Sequence, residues 1–479
     1  MKTTEQMRDK PKRRKATPEA ALAVHPRHFA IPFCCTILAA WPLVHLAAPT
    51  RKSVQRWKWN ASNPNRSMAR AAAAGHPIVL TGSPVESWPA LLHWTPSSLT
   101  ARLATIPLVD VSANRTFMWS DHKRQMGTAL GLQVSGARHD RINMDPSEFF
   151  AASRPAATTY RQMHARLRDH AALAELSVDA QPRAFLFLDE ESAGMDDVTL
   201  WAGEAGTTSH THYDAWPNAF TQVYGRKRFL LWAPEDWRGL ALHPHAHPAH
   251  RGSQLDFDEH NGLLVGCTPP SWVQRMRSLW GGSDEDAVTT CAVPFFAELS
   301  PGEVLLLPPF WFHRVTSLTF STALSALSLG EQGGRFDRAC RQGLPAYLLD
   351  RTAPPTMRAA LVRRFITSLV HALMPPDEAS TYVRRALVET RYAPLDSAKP
   401  LRCEVPFGSC GEDPSAYIAA AAAAEEQEVV KRVAAALAPR PSARALDGVS
   451  HIILQDYIEH VAGFAVGISS LCGFLKGCF

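Results

Sequence analysis

His212 and Asp214 stand two residues apart in the run Gly206-Thr-Thr-Ser209-His210-Thr-His212-Tyr-Asp214. If this run is a strand, both side chains leave the same face. An imidazole nitrogen and a carboxylate oxygen can then bind one metal ion from adjacent corners. The third ligand must come from elsewhere in the fold. His313 is the candidate, 99 residues after Asp214, at the end of a run that opens with Pro301-Gly302-Glu303 and closes with Trp311-Phe312-His313. Two imidazoles and one carboxylate on one side of a metal leave three positions open. That is the arrangement of non-haem Fe(II) oxygenases, which must hold a cosubstrate and O2 together.

Lys227 adds a second requirement. It follows a turn at Gly225, on a stretch where Lys227, Phe229 and Leu231 share a face. A lysine facing inward among apolar neighbours needs an anion as partner. The far carboxylate of 2-oxoglutarate is such an anion, with the ketoacid end of that cosubstrate on the metal. A surface position on an edge strand is the other reading of Lys227. Ser209 and Asn218 would add hydrogen bonds to the same cosubstrate.

Such side chains need a rigid frame, and residues 71–330 read as short strands and turns. Strands are expected at 76–80, 184–189, 198–201, 304–307 and 322–329, and a hairpin over 220–232 turning at Gly225. Residues 143–180 are polar and read as helix, with Pro146 near its start. From Ala339 onward the chain reads as helical. Asp413-Pro414-Ser415 opens a helix that ends by Pro439. A last helix over 451–474 is interrupted by Gly463 and Gly467.

The run Gly206 to Asp214, followed by Asn218 and by Gln222-Val-Tyr-Gly225-Arg-Lys227-Arg-Phe, resembles the JmjC family. It is most similar to the cupin-like, factor-inhibiting-HIF-like branch. Gly252-Ser-Gln-Leu-Asp-Phe-Asp258 resembles a loop of that branch, and Pro301 to His313 its distal-histidine segment. His76-Pro-Ile-Val-Leu80, Trp88-Pro-Ala90 and Trp94-Thr95 resemble its lead-in.

The resemblance implies a double-stranded β-helix (jelly roll), mainly β with flanking helices and a helical C-terminal region. It implies Fe(II) held by His212, Asp214 and His313, with 2-oxoglutarate paired to Lys227 and O2 as co-reactant. Ser209 stands where the family often has Thr, and Asn218 matches an asparagine near the cosubstrate. After the distal histidine the family often places another Asn; the ungapped register gives Ser328 here. That departure touches the fine cosubstrate contacts and not the metal triad. The stretch 261–298, through Cys267, Trp272 and Cys291, departs most and reads as an insertion near the entrance or edge, either shaping substrate choice or forming a surface loop.

The activity so implied is hydroxylation of a protein or peptide side chain, with succinate and CO2 as co-products. The alternatives are a demethylase, an RNA-modifying hydroxylase and a non-catalytic cupin-like scaffold. The intact set of His212, Asp214, His313 and Lys227 argues against the scaffold. The C-terminal helices stand where relatives dimerise. Ile452, Ile453, Tyr457, Phe464 and Ile468 suit either a homodimer or burial against the chain's own barrel.

Two histidine features remain. His210, two residues before His212, could share its face; the resemblance gives the ligand role to His212 and leaves His210 to line the pocket or pack nearby. His243-Pro-His245-Ala-His247-Pro-Ala-His250 invites a second metal site. Its prolines prevent regular structure, and the resembling family has a Pro-rich loop at that place, so it reads as a loop.

Charge and composition bound the rest. The 479 residues carry a net +5, and the first 28 alone carry eight basic residues against three acidic ones. The body is therefore charge-balanced, which argues against general nucleic-acid binding and a chromatin-directed demethylase. Residues 29–48 hold no formal charge and are long enough to span a bilayer, although Pro32, Pro42 and His45 interrupt them. Asn60-Ala-Ser62, Asn65-Arg-Ser67 and Asn114-Arg-Thr116 are glycosylation acceptor patterns. Together they point to a single-pass protein of the secretory pathway with a lumenal body; a cytoplasmic body is the alternative. Nine cysteines are too scattered for a disulfide scaffold, with Cys403 and Cys410 a candidate pair. The organisation read from these signals is a basic tail (1–28), a candidate anchor (29–48), a linker (49–70), the oxygenase-like domain (71–335) and a helical region (336–479).

Overall fold

Strands buried on both faces need apolar residues at every position, and the central strands here have them. The structure, a computed structural model, describes residues 52–60, 62, 74–112, 115–121, 123–132, 140–151, 160–180, 198–258, 293–393, 410–411, 414–438 and 446–479. The expected tail and anchor, the strand at 184–189, Asn65, Asn114, Cys403 and most of the insertion at 261–298 lie outside the described residues.

Two sheets face each other. One has six strands in the order β1 (Lys52–Ser53), β12 (Phe295–Leu299), β11 (Lys227–Trp232), β14 (Phe312–Ser317), β9 (Thr208–Tyr213) and β5 (Thr116–Phe117). The other has nine: β2 (Gln55–Lys58), β3 (Ile78–Thr81), β13 (Val304–Leu307), β10 (Asn218–Tyr224), β15 (Ser321–Leu327), β8 (Val198–Gly203), β7 (Tyr160–Arg166), β4 (Ile106–Ser112) and β6 (Asp140–Met144). The eight strands β8 to β15 contribute four antiparallel neighbours to each sheet, which is the double-stranded β-helix expected.

Packing divides into three layers. Phe220, Phe229, Leu231, Leu305 and Leu307 fill the space between the sheets. On the far side of the larger sheet, Val223, Val304 and Leu324 pack against Trp94 and Leu99 of the N-terminal helices. On the far side of the smaller sheet, Leu230, Trp232 and Phe312 pack against the C-terminal helices. Alternate residues of β11 thus serve two cores, with Lys227 in the inner set.

The C-terminal helices are α1 (Pro355–Leu373), α2 (Pro376–Val383), α3 (Ala420–Leu437), α4 (Gly448–Val466) and α5 (Ile468–Cys478). In α1 the stripe Val362, Phe365, Ile366, Leu369 and Val370 is buried at helical spacing. A π-helical stretch, Arg384–Tyr392, follows α2. Between α4 and α5 the chain bends by 112° at Gly467, whose φ is +87°. Gly463 lies inside α4, where a Cβ would meet Ile468 Cδ1 at 2.8 Å. Ile452, Ile453 and Tyr457 are buried in this chain's own core, whereas Phe464 is exposed. Among the described residues no single helix is long and apolar enough to cross a membrane.

Several elements differ from expectation. The described residues of 143–180 hold the strand β7 and short helical turns, because pairing with β4 and β8 overrides local preference. The expected linker carries β1 and β2, which extend both sheets. The turn at Gly225 does not close a hairpin: β10 and β11 belong to different sheets. Gly225 has φ +70°, and a Cβ there would run into the Phe320 carbonyl oxygen. The helix expected from residue 413 begins with a 3₁₀ turn, Pro414–Tyr417, before α3. Cys410 is bridged to Cys478 instead of Cys403, and Cys472 is also disulfide-bonded.

Candidate functional site

Strand β9 brings the first ligands in. Its register against β14 pairs His212 with His313 but Ser209 with Val315, so one extra residue of β9 is bulged out. The bulge lets Ser209 and His212, three apart, both face the interior. It turns His210 away: the His210 Nε2–H donates to the Ser253 carbonyl at 2.9 Å, and Nδ1 lies 3.5 Å from Arg314 Nη1. Burial pushes His210 down to about 4. His210 therefore does not share the face of His212, although it lies against the cavity wall.

His212 and His313 present matching nitrogens. His212 Nδ1 donates to the His210 carbonyl at 2.6 Å, and His313 Nδ1 to the Trp311 carbonyl at 3.1 Å. Both Nε2 atoms then carry the free lone pair, the form a metal requires. The two rings lie 4.2 Å apart, centre to centre, and His313 Nε2 is 3.8 Å from Asp214 Oδ2. Burial, with His212 alongside, holds His313 down to about 4, so its imidazole is neutral at pH 7. The ligand atoms of His212, Asp214 and His313 all lie within 4.8 Å of one another, a spacing one ion can bridge.

Residue 310 fixes the approach of β14. Phe310 adopts φ +63°, a costly conformation for a bulky residue. Its amide donates to the Asp214 carbonyl at 2.7 Å, and its ring stacks on Tyr213 at 5.2 Å. The backbone of Asp214 is thereby tied to the loop that delivers His313.

Lys227 points into the same cavity, of about 300 Å³. Only 3% of the residue is exposed, and among the described residues no carboxylate pairs with it. Its Nζ sits over the Phe220 ring, 5.8 Å from the ring centre. Burial alone lowers its pKa to about 8. A buried ammonium group with no anion is costly unless a ligand supplies one.

The remaining expected residues divide. Ser209 and Asn218 line the cavity; Asn218 Oδ1 accepts from Ser325 Oγ at 2.9 Å. Ser328 lies past the end of β15 and does not line the cavity; its amide donates to the Pro217 carbonyl at 2.9 Å. The serine that β15 turns inward is Ser325, which the ungapped register passes over.

The sequence also gave no hint of one wall. Strands β7 and β4 extend the larger sheet sideways and place His164 beside Trp201, stacked at 5.0 Å. His164 Nδ1 lies 2.9 Å from Asp110 Oδ2, and Arg141 Nε donates to Asp110 Oδ1 at 2.8 Å. Burial would raise the Asp110 carboxyl, but hydrogen bonds from His164 and Arg141 hold it below the usual range. At the mouth Trp119 is 51% exposed, and Arg251 sits over the Trp216 ring at 5.8 Å. An inward alternation over 160–166 was the available signal, hidden by the polar character of that stretch.

Comparison with known proteins agrees with this architecture. Residues 64–327 match the family described as cupin-like domain. Jumonji C domain-containing protein 5 of Drosophila melanogaster is 26% identical over 262 residues, covering 53% of this chain and 54% of that protein. Lysine-specific demethylase 8 of Danio rerio is 27% identical over 255 residues, 52% of each chain. The tRNA wybutosine-synthesizing protein 5 of Danio rerio is 26% identical over 184 residues, 37% of this chain and 44% of that one. The chain spans about half the length of the curated relatives it matches. The likeness is to the cupin-like domain as a whole and does not single out the factor-inhibiting-HIF-like branch.

Proposed function

Because the chain belongs to the JmjC-type family of cupin-like domains, we propose that it is an Fe(II)- and 2-oxoglutarate-dependent oxygenase that hydroxylates a side chain of a protein or peptide. One observation carries this reading: His212, Asp214 and His313 converge in the same cavity that receives the unpaired ammonium group of Lys227. Fe(II), when bound with 2-oxoglutarate and O2, supplies oxidation of a C–H bond with succinate and CO2 as co-products.

The chain's own residues prepare that chemistry. His212 and His313 offer Nε2 lone pairs locked by their Nδ1 hydrogen bonds, and Asp214 offers a charged oxygen. Held by these three side chains, the metal would keep positions open for cosubstrate and O2. Lys227 neutralises the far carboxylate, with Ser209, Asn218 and Ser325 lining its path. Phe220, Phe229 and Leu307 exclude water from that end. The aromatic mouth around Trp119 and the charge-balanced body suit a polypeptide better than a polyphosphate.

Oxidation of an N-methyl carbon is the second reading, and the name of the Danio rerio demethylase favours it. Anaerobic reconstitution with Fe(II), then addition of O2 and 2-oxoglutarate with candidate peptides, tests both. Succinate release that disappears in His212→Ala supports an oxygenase. A peptide product heavier by one oxygen atom supports hydroxylation; formaldehyde release with loss of a methyl group supports demethylation. A metal-loaded protein that binds 2-oxoglutarate and never yields succinate with any peptide contradicts both.

We also propose a lumenal body. The Asn60 acceptor is exposed and the Cys410–Cys478 bridge suits an oxidising compartment. A glycosidase-sensitive mass shift that vanishes when Asn60→Gln, Asn65→Gln and Asn114→Gln are combined is the expected result. No shift in a glycosylating host opposes it.

A further inference from the structure

The prolines of the loop 243–250 keep it out of regular structure, yet the loop is not loose. His243, His247 and His250 are buried, and His243 stacks on His247 at 4.1 Å. The loop packs against α4 at Asp456, 206 residues from His250. Asp456 Oδ2 lies 3.0 Å from His250 Nε2 and 3.6 Å from His245 Nδ1. One ligand atom from each of His245, His250 and Asp456 lies within 4.8 Å of the other two, as in the group at the cavity.

Of the two distances, 3.0 Å from His250 also fits an ordinary hydrogen bond, and 3.6 Å from His245 does not. A tetrahedral ion with bonds of roughly 2.0–2.1 Å sets its ligand atoms roughly 3.3 Å apart. The two separations from Asp456 bracket that value. His245 Nδ1 is buried without a hydrogen-bond partner, and 3.6 Å is too far for a hydrogen bond to Asp456.

Two carboxylates, Asp456 and Glu459, lie here against two guanidinium groups, Arg391 and Arg124, and Arg124 Nη1 donates to the His245 carbonyl at 2.5 Å. Arg391 Nη1 lies 2.7 Å from Asp456 Oδ1 and 2.9 Å from Glu459 Oε1. Arg391 thus occupies Oδ1 and leaves Oδ2 to the histidines. We propose that His245, His250 and Asp456 form a second metal site, which binds Zn²⁺ and fastens the histidine-rich loop to α4. Two imidazoles and one carboxylate suit zinc, whereas Ca²⁺ and Mg²⁺ prefer all-oxygen shells.

The site would brace the first one from behind. The residues just after the loop run beside β9: Tyr213 N donates to the Arg251 carbonyl at 3.3 Å, and Ser253 N to the Thr211 carbonyl at 2.9 Å. Gly252 forms a bridge with His212 itself.

The test removes the first site so that only the second can answer. A full-length His212→Ala, Asp214→Ala protein, made with zinc in the medium and dialysed, should retain one zinc per chain by elemental mass spectrometry. Adding His245→Ala should lower zinc affinity by at least the roughly 10–100-fold that loss of a ligand's supporting partner costs. His245 is the choice because its side chain is 18% exposed and its Nδ1 makes no hydrogen bond, so the fold should survive by circular dichroism. A chelator should then lower Tm in the double variant and not in the triple. A folded double variant without zinc, or a triple variant that keeps it, overturns the proposal and leaves His250–Asp456 a plain hydrogen bond.

Discussion

Replacing Lys227 with methionine separates two consequences of one buried charge. Methionine nearly fills the same space, so little cavity cost enters. In the free protein the ammonium group is a liability: burial lowers its pKa from 10.5 to about 8. At about 1.4 kcal/mol per pKa unit, that lowering is worth about 3 kcal/mol. Free Lys227→Met protein should therefore be more stable than the wild type at pH 7, by up to about 3 kcal/mol. The gap should close between pH 8 and 10.5, where the native wild type has shed its proton and the unfolded chain has not. For 2-oxoglutarate the sign reverses. Losing a charge-assisted hydrogen bond costs about 1.5–3 kcal/mol, roughly 10- to 100-fold in affinity. Denaturant unfolding across pH 7 to 10 and calorimetric titration with 2-oxoglutarate read the two effects separately. A Lys227→Met protein no more stable than the wild type at pH 7, and binding 2-oxoglutarate as tightly, would refute the reasoning.

Other positions give further checks. Gly225→Ala should cost about 3 kcal/mol or more by chemical denaturation, since the left-handed backbone and the Phe320 carbonyl both resist a Cβ; a loss under about 1 kcal/mol contradicts the turn. Cys410→Ser with Cys478→Ser opens a link across 68 residues and should cost about 4 kcal/mol of unfolding free energy; stability unchanged by reductant speaks against the bridge. Burial holds His210, His247, His313 and His451 at about 4 and His250 at about 3, below their unfolded value of 6.5. Stability of the metal-free protein should thus fall as pH drops from 6.5 toward 4, with protons taken up on unfolding; a flat profile from 6.5 to 5 is the contrary result.

Local signals located the side chains that meet at the cavity better than they located the scaffold. The His212–Asp214 spacing and the inward parity of Lys227 depend on a few neighbouring residues, so both are legible before any fold is known. Parity fails where a partner strand decides the geometry. The bulge in β9 turns His210 away and brings Ser209 in, and its place is set by pairing with β14. On β15 the same dependence puts Ser325, not Ser328, at the cavity. Strand β7 reads as helix because only β4 and β8 reveal its inward face. Asp456 is invisible as a partner of the histidine-rich loop because the fold alone joins residues so far apart in sequence. The pairing of Cys410 with Cys478 is hidden for the same reason.

One cavity is proposed to hold a metal and a dicarboxylate through different residues. Anaerobic binding of Fe(II), then of 2-oxoglutarate, to the wild type, His212→Ala and Lys227→Met tests it most directly. The wild type should take one Fe(II) at this site and one 2-oxoglutarate. His212→Ala should lose the iron, while Lys227→Met should keep the iron and bind 2-oxoglutarate weakly. A folded wild type that binds neither Fe(II) nor 2-oxoglutarate would contradict the account.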